Sequence, residues 1–257
     1  MVSSPGKAGP AQVGREQWNH SAGFILAAIG SAVGLGNIWR FPGVAYSSGS
    51  GAFLIPYLVA LLTAGIPILF LDYAIGHRFR GAAPLAFRRM AKWAESLGWF
   101  QTVLMFVIGV YYAAVIAWSM SFFVFSFNLK WGGDTADFFL NRYLQIGETT
   151  VSPQVVAGVA LPLLLVWVTI MVVLALGVAR GVEKVNMVFI PLLVLVFVAL
   201  VVRALFLPGA FEGLDSFFTP NWTALADPNV WIAAYAQIFF SLSIAFGIMV
   251  TYASYQR

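Results

Sequence analysis

An apolar run near the amino end of the chain is interrupted where a membrane helix would be continuous. Residues 30–42 read GSAVGLGNIWRFP, which places three glycines, the amide of Asn37 and the cation of Arg40 inside a hydrophobic stretch. Each glycine lowers helix stability by about 1 kcal/mol relative to alanine, so the sequence predicts a break in the helix. Backbone groups freed by a break are tolerated at membrane depth only where they line a cavity or bind something.

A second weak point follows about 200 residues later. Residues 237–247 read QIFFSLSIAFG and again mix polar residues and a glycine into an apolar run. Two interrupted helices of this kind are the sequence signal for a binding site at the midplane of a secondary transporter. A glycine-rich packing seam between helices is the alternative interpretation, but it does not account for Asn37.

The composition predicts an all-α integral membrane protein. Hydrophobic residues make up 61% of the 257 residues, charged residues 9%, and the mean hydropathy is +0.87. The net charge of +4 suggests no nucleic-acid partner, because the basic residues stand in short loops beside apolar spans. The absence of cysteine excludes a disulfide framework and thiolate metal sites.

Six membrane spans are predicted from apolar runs long enough to cross about 30 Å of hydrocarbon. They lie at residues 21–46, 51–76, 97–127, 155–178, 184–207 and 229–255. Ten of the fourteen basic residues fall on one side of this topology, which predicts a cytoplasmic amino terminus in the inner or plasma membrane of the cell. Two domains are expected, a flexible cytoplasmic tail at residues 1–18 and a transmembrane domain at residues 19–257.

Two shorter helices are predicted outside the spans. Residues 84–96 alternate basic and apolar side chains, which is typical of an amphipathic helix lying on the inner leaflet. Residues 137–144 are expected to form a short interfacial helix in the loop that follows the third span.

Several motifs, in order along the chain, resemble the neurotransmitter:sodium symporter family. They are REQW at 15–18, AVGLGN at 32–37, WRFP at 39–42, GAFLIPY at 51–57, GIP at 65–67, YY at 111–112, WIAA at 231–234 and TYASY at 251–255. The resemblance implies a leucine-transporter-type fold with the first five-helix inverted repeat, the sixth helix, and interruptions in helices 1 and 6. Because that family has about twelve spans, the chain is expected to be the amino-terminal part of a transporter whose spans 7 to 12 are its partner. A naturally split half remains the alternative.

The resemblance also implies sodium and substrate sites. Sodium is a hard cation that prefers oxygen ligands, and Asn37 offers one without a buried charge. One ion would be held by the Ala32 carbonyl, Asn37, Ser241 and the carboxylate of the substrate. A second would take the carbonyls of Gly30 and Val33.

The expected substrate is a neutral amino acid with an apolar or aromatic side chain. Monoamine carriers of the family place an aspartate where this chain has Gly34, so the carboxylate here is left to the ligand. The substrate-binding residues implied by the resemblance are Ala32, Leu35, Gly36, Ile108, Tyr112, Phe240, Ser241, Ser243 and Phe246.

Two further sets of residues follow from the resemblance. A chloride site, with chloride dependence left open, would use Tyr57, Gln237 and Ser241. Gates would be formed by Arg15, Trp18, Arg40, Phe240, Tyr252 and Tyr255.

Sodium-coupled symport by alternating access is therefore the predicted function. An intramembrane enzyme is not expected, because the spans offer no paired carboxylates and no His-Glu pair. A non-transporting binding or assembly subunit with the same fold is the alternative. Asp72, a charge inside the second span, is expected to be a structural partner of another element.

Overall fold

A computed structural model describes residues 17–34, 36–146 and 155–256, and these residues are almost entirely helical. The α-helices in the described ranges are α1 (Ser21–Ala32), α2 (Phe41–Ser47), α3 (Leu54–Ala60), α4 (Ile66–Phe79), α5 (Ala83–Met90), α6 (Glu95–Phe125), α7 (Thr135–Asp137), α8 (Ala157–Ala175), α9 (Glu183–Leu205), α10 (Ala210–Phe218), α11 (Pro228–Leu242) and α12 (Ile248–Ala253).

Four continuous helical stretches among the described residues are long and apolar enough to cross a membrane. These stretches are Gly51–Phe79, Lys92–Phe125, Ala157–Ala175 and Val178–Leu205. They correspond to the predicted second to fifth spans, although the second runs three residues further and the third begins five residues earlier than expected. Short π-helical segments join their parts, at Leu61–Gly65 between α3 and α4 and at Val178–Val182 before α9.

The first predicted span is broken as the glycines indicate. Helix α1 ends at Ala32, and a second helical stretch, Gly36–Ser47, starts with a π-helical turn and continues as α2. The two parts meet at an angle of 61°. Val33, which follows α1, has an extended backbone with φ −90° and ψ 101°, so the helical hydrogen-bond ladder stops there.

The sixth predicted span is broken as well. Helix α11 ends at Leu242 and α12 begins only at Ile248. In the linker, Ser243 and Ala245 have φ of 50° and 61°, and Gly247 has φ of 80°. A left-handed backbone at two non-glycine residues is costly, so the surrounding contacts must hold this linker in place.

The expectation of one amphipathic helix over residues 84–96 is wrong. Helix α5 stops at Met90, Ala91 is extended with φ −156° and ψ 136°, and Lys92–Ala94 forms a 3-10 turn leading into α6. The turn brings Ala94 into a buried cluster with Phe87. The short helix predicted at residues 137–144 is present as α7 and the π-helical turn Phe138–Tyr143.

The main buried cluster lies where α2, α3 and α11 meet. Phe53, Ile238 and Ile244 are fully buried there. By contrast, α8 and α9 expose most of their large apolar side chains, as surfaces facing lipid or further protein do. Packing is therefore concentrated around the two broken spans.

Candidate functional site

The two helix breaks lie against each other, and side chains of the sixth predicted span hydrogen-bond to backbone carbonyls at the first break. Ser243 Oγ, in the linker after α11, donates to the carbonyl of Ser31 at 2.8 Å. Gln237 Nε2, on α11, donates to the carbonyl of Gly36 at 3.1 Å. Side chains of α11 and of the linker after it therefore replace helical partners that the first break removes, and irregular backbone is tolerated at membrane depth where it has such partners.

Asn37 bridges the first break. Its Nδ2 donates to the carbonyl of Ala32 at 2.7 Å, so the two oxygen-bearing groups predicted to share a sodium ion lie side by side. The described residues contain no cluster of three or more His, Cys, Asp or Glu side chains. A set of neutral oxygens fits a hard monovalent cation and does not fit a transition metal.

A cavity of about 620 Å³ opens beside the first break. Its lining residues are Gly30, Ser31, Ala32, Gly34, Gly36, Asn37, Ala82, Ala83, Thr102, Met105, Ile108, Tyr112, Phe240, Phe246, Gly247, Ile248, Thr251 and Tyr252. None of these residues carries a formal charge. The cavity therefore joins both broken spans to α6 in an uncharged, largely apolar surround.

Most of the predicted substrate residues meet at this cavity. Those that line it are Ala32, Gly36, Ile108, Tyr112, Phe240 and Phe246. Ser241 does not line it, because its hydroxyl is buried and accepts from Gln237 Nε2 at 3.0 Å. Ser243 is also outside the lining, and Leu35 lies outside the described residues.

The predicted sodium ligands divide in the same way. Gly30, Ala32 and Asn37 line the cavity, whereas Val33 and Ser241 do not. The assignment of sodium to these five residues stays a prediction.

Two lining residues on α6 were missed by the sequence reasoning. Thr102 and Met105 precede Ile108 and Tyr112 on the same helix, at spacings of three and four residues. Residues at these spacings share one face of an α-helix. The signal was therefore present once Tyr112 had been placed in the site.

Gly34 and Gly36 have opposite surroundings. A Cβ atom at Gly34 would meet no atom within 4 Å, so this lining position faces the open space of the cavity. A Cβ atom at Gly36 would overlap Cδ1 and Cε1 of the Phe240 ring. Gly36 therefore allows Phe240 to pack directly on the backbone of the first break.

An aromatic and cationic layer covers one side of the cavity. Arg40 Nη1 donates to Gln237 Oε1 at 2.9 Å, and Arg40 Cζ lies 5.2 Å from the centroid of the Phe240 ring. The rings of Phe240 and Tyr112 have centroids 6.5 Å apart. This layer contains Arg40 and Phe240 of the predicted gates.

Three other predicted gate residues, Trp18, Tyr252 and Tyr255, lie together at the opposite end of the first span. Trp18 is only 4% exposed, although it is the last residue of the predicted tail. Its Nε1 donates to the carbonyl of Tyr252 at 2.9 Å, and its backbone N–H donates to the carbonyl of Tyr255 at 3.2 Å. Arg15 lies outside the described residues.

The three side chains predicted for chloride also lie together. Gln237 Nε2 donates to Ser241 Oγ at 3.0 Å, and the Tyr57 side chain interacts with that of Ser241. Gln237 is completely buried. Chloride binding by this group stays a prediction.

Asp72 supports the second break. Its side chain is buried, and Oδ2 accepts a hydrogen bond from the backbone N–H of Ala245 at 3.0 Å. Ala245 is one of the linker residues with positive φ. The carboxylate of Asp72 therefore holds the strained linker against the second span, which matches the predicted structural role.

Comparison with known proteins identifies the family. A family model described as the sodium:neurotransmitter symporter family matches residues 15–134 and 130–257. The chain belongs to that family, and the resemblance predicted from its motifs is confirmed.

Individual relatives agree with this assignment. An uncharacterized sodium-dependent transporter of Methanocaldococcus jannaschii is 44% identical over 242 residues, covering 94% of this chain and 49% of the relative. The sodium-dependent neutral amino acid transporter B(0)AT3 of Mus musculus is 36% identical over 263 residues, covering 94% of this chain and 42% of the relative. The chain thus spans about half the length of these relatives.

A solved structure confirms the fold class. The crystal structure of MhsT in complex with L-phenylalanine superposes with a TM-score of 0.78 at 36% sequence identity. The match covers 95% of this chain and 54% of MhsT. The chain is a multi-pass membrane protein with a leucine-transporter-type fold, and its family is made of transporters.

Proposed function

We propose that the full-length protein is a sodium-coupled symporter of a neutral amino acid with an apolar or aromatic side chain, working by alternating access. The observation that carries the proposal is the uncharged cavity between the two broken spans, where Gly34 faces open space. A cationic amine at membrane depth would need a carboxylate from the protein. A zwitterion brings its own carboxylate, so an uncharged lining suits an amino acid.

The polar ends of the substrate have partners at the first break. We place the carboxylate at the backbone amides that open the Gly36–Arg40 turn, near the Tyr112 hydroxyl, since helix amino ends attract anions. A sodium ion beside Ala32 and Asn37 would then be shared between protein oxygens and that carboxylate. Each sodium ion entering down 100 mV supplies about 2.3 kcal/mol for uphill uptake.

The apolar part of the substrate has a large hydrophobic surround. Met105, Ile108, Phe240 and Phe246 line the same cavity as Gly34. The neutral amino acids carried by the mouse relative and the phenylalanine bound to MhsT support this substrate class. The particular amino acid is left open by these contacts.

Orientation and completeness belong to the same proposal. The excess of basic residues on one side supports a cytoplasmic amino terminus. The relatives are about twice as long, so we propose that spans 7 to 12 supply the remaining ligands. Residues 1–257 alone are then expected to show no sodium-driven uptake.

Uptake into proteoliposomes tests the function. The full-length protein should accumulate radiolabelled phenylalanine or leucine under an inward sodium gradient and should not do so when choline or potassium replaces sodium. Phenylethylamine, which lacks the carboxylate, is the matched competitor and should compete poorly. Uptake that does not depend on sodium would refute the proposed site. So would competition by phenylethylamine as strong as that by unlabelled phenylalanine.

A binding subunit without transport activity would give a different result. Sodium-dependent phenylalanine binding in detergent would persist, while uptake into sealed vesicles would be absent. Binding and uptake are therefore measured on the same preparation.

A further inference from the structure

Basic residues are concentrated where the chain turns between the second and third spans. Between residues 77 and 97 there are five basic side chains and one acidic side chain, Glu95. The basic residues are Arg78, Arg80, Arg88, Arg89 and Lys92, and we call Arg78, Arg88, Arg89 and Lys92 the basic face. All five are exposed. Because α5 connects two membrane spans, this face lies at the surface of the bilayer.

The position of Arg89 is fixed by the backbone. Its Nη1 donates to the carbonyls of Phe79 and Arg80, at the carboxyl end of α4. Arg80 closes that helix in a left-handed conformation with φ 44°. Because a guanidinium carries five N–H groups, Arg89 retains donors beyond the bond-forming Nη1. Arg89 therefore ties α5 to the carboxyl end of α4, so the basic side chains of the two helices lie close together.

Glu95 is the one acidic residue between residues 77 and 97. Glu95 Oε2 lies 3.6 Å from Arg88 Nε, and the two side chains are 36% and 63% exposed. An exposed pair of this kind contributes little stabilisation and is weakened by salt. One carboxylate against the four cations of the basic face leaves the face with a positive potential.

Large apolar side chains stand beside these charges. Helix α5 turns Ala83, Ala86 and Phe87 inward, against the ends of the neighbouring spans. Trp93 is 74% exposed, and it is joined on the surface by Leu85, Met90 and Leu97. Tryptophan and long cationic side chains occupy the membrane interface because each combines an apolar body with a polar tip.

We propose that the basic face is a binding site for the headgroup of an anionic phospholipid. The cations would meet the phosphate, while Trp93 and Leu97 would contact the upper part of the acyl chains. Basic clusters at the ends of membrane spans attract anionic lipid in this way. A soluble acidic partner fits less well. It would bind the cations, but the exposed apolar side chains beside the spans would not contact lipid.

Quenching of Trp93 by brominated lipid tests the site. The full-length protein is reconstituted into phosphatidylcholine bilayers containing either brominated phosphatidylglycerol or brominated phosphatidylcholine. The fluorescence lost on Trp93→Phe isolates the signal of Trp93 from that of the other tryptophans. Phosphatidylglycerol is expected to quench this signal at a lower mole fraction than phosphatidylcholine does.

Neutralising two cations should remove that preference. A basic residue near the surface is worth about 1 kcal/mol of attraction to anionic lipid, or about fivefold in affinity. The double variant Arg88→Gln/Lys92→Gln should therefore bind phosphatidylglycerol about 25-fold more weakly. Neither residue caps α4, and an unchanged melting temperature would show that the fold is retained.

A double variant on the other side of the membrane is the matched control. Lys130 lies over the Phe125 ring at 4.7 Å, and Arg142 Nε lies 3.2 Å from Asp137 Oδ2. Lys130→Gln/Arg142→Gln removes the same charge and should leave Trp93 quenching unchanged.

Three results would overturn the proposal. The first is equal quenching of Trp93 by both lipids in the unmodified protein. The second is an equal loss of quenching in the control variant. The third is displacement of the lipid by millimolar glycerol phosphate, which would make the face a site for soluble phosphate and not for lipid.

Discussion

Alanine at Gly36 is expected to disrupt the cavity, whereas alanine at Gly34 is expected to be tolerated. The added Cβ at Gly36 would overlap the ring of Phe240, which must then turn away. That ring is confined, because Arg40 Cζ lies 5.2 Å from its centroid and the Tyr112 ring 6.5 Å from it. Displacing Phe240 therefore disturbs the whole layer that covers the cavity.

The magnitude follows from overpacking. An extra methyl group in a well-packed site costs about 1–3 kcal/mol. If that cost falls on the substrate-bound state, the dissociation constant rises by about 5- to 160-fold, since about 1.4 kcal/mol corresponds to a factor of ten. Equilibrium binding of radiolabelled phenylalanine at saturating sodium, with the full-length protein, measures the change.

Gly34→Ala is the matched control for this substitution. Both changes reduce the freedom of the unfolded chain in the same way, so their difference reports the native contacts. A Cβ at Gly34 meets nothing within 4 Å. The phenylalanine dissociation constant of Gly34→Ala should therefore stay within about twofold of that of the unmodified protein. Equal affinities and equal melting temperatures for the two variants would show that Phe240 does not pack on Gly36.

Three more substitutions test other parts of the site. Asn37→Ala should raise the apparent dissociation constant of sodium by about 10- to 100-fold and weaken substrate binding with it, because linked ligands affect each other equally. The measurement is a sodium titration at constant ionic strength. If the variant gives the same titration as the unmodified protein, Asn37 is a packing residue only. Gly34→Asp has room to fold, but its charge should abolish phenylalanine uptake, and unchanged uptake kinetics would mean that the carboxylate of the substrate lies elsewhere. Trp18→Phe leaves the carbonyl of Tyr252 without its indole donor, at a cost of about 1–3 kcal/mol. In a cysteine-free background, Thr251→Cys should then react faster with a thiol reagent when Trp18→Phe is also present. An unchanged rate would show that the indole does not hold the Trp18–Tyr252 end of the cavity closed.

The helix breaks could be predicted because the local signals conflict with a membrane helix. Glycines beside Asn37 weaken the first span, and the structure has its break at Val33, just before them. The serines after Phe240 weaken the last span in the same way, and the linker begins at Ser243. The residues that weaken the helix locally stand where the fold has its breaks, so the breaks could be predicted from the sequence.

Other features depend on contacts that a single sequence does not display. Nothing in the residue type marks Ala91 as the point where α5 ends, because the turn is set by burial of Ala94 against Phe87. Ser241 accepts a hydrogen bond from Gln237 on the same helix, and Gln237 is held in turn by Gly36 and Arg40 of the first span. Tertiary contacts override local propensity at such positions.

Gln237 connects the aromatic and cationic layer over the cavity to the first helix break. One buried amide accepts from Arg40 and donates both to the carbonyl of Gly36 and to Ser241. If Arg40 swings outward, the amide oxygen loses a charged donor inside a site that water does not reach. Re-orienting the amide to recover a donor would release the other two bonds. The three hydrogen bonds of Gln237 are therefore coupled, so a substitution of Arg40 is expected to weaken the bonds to Gly36 and Ser241 as well.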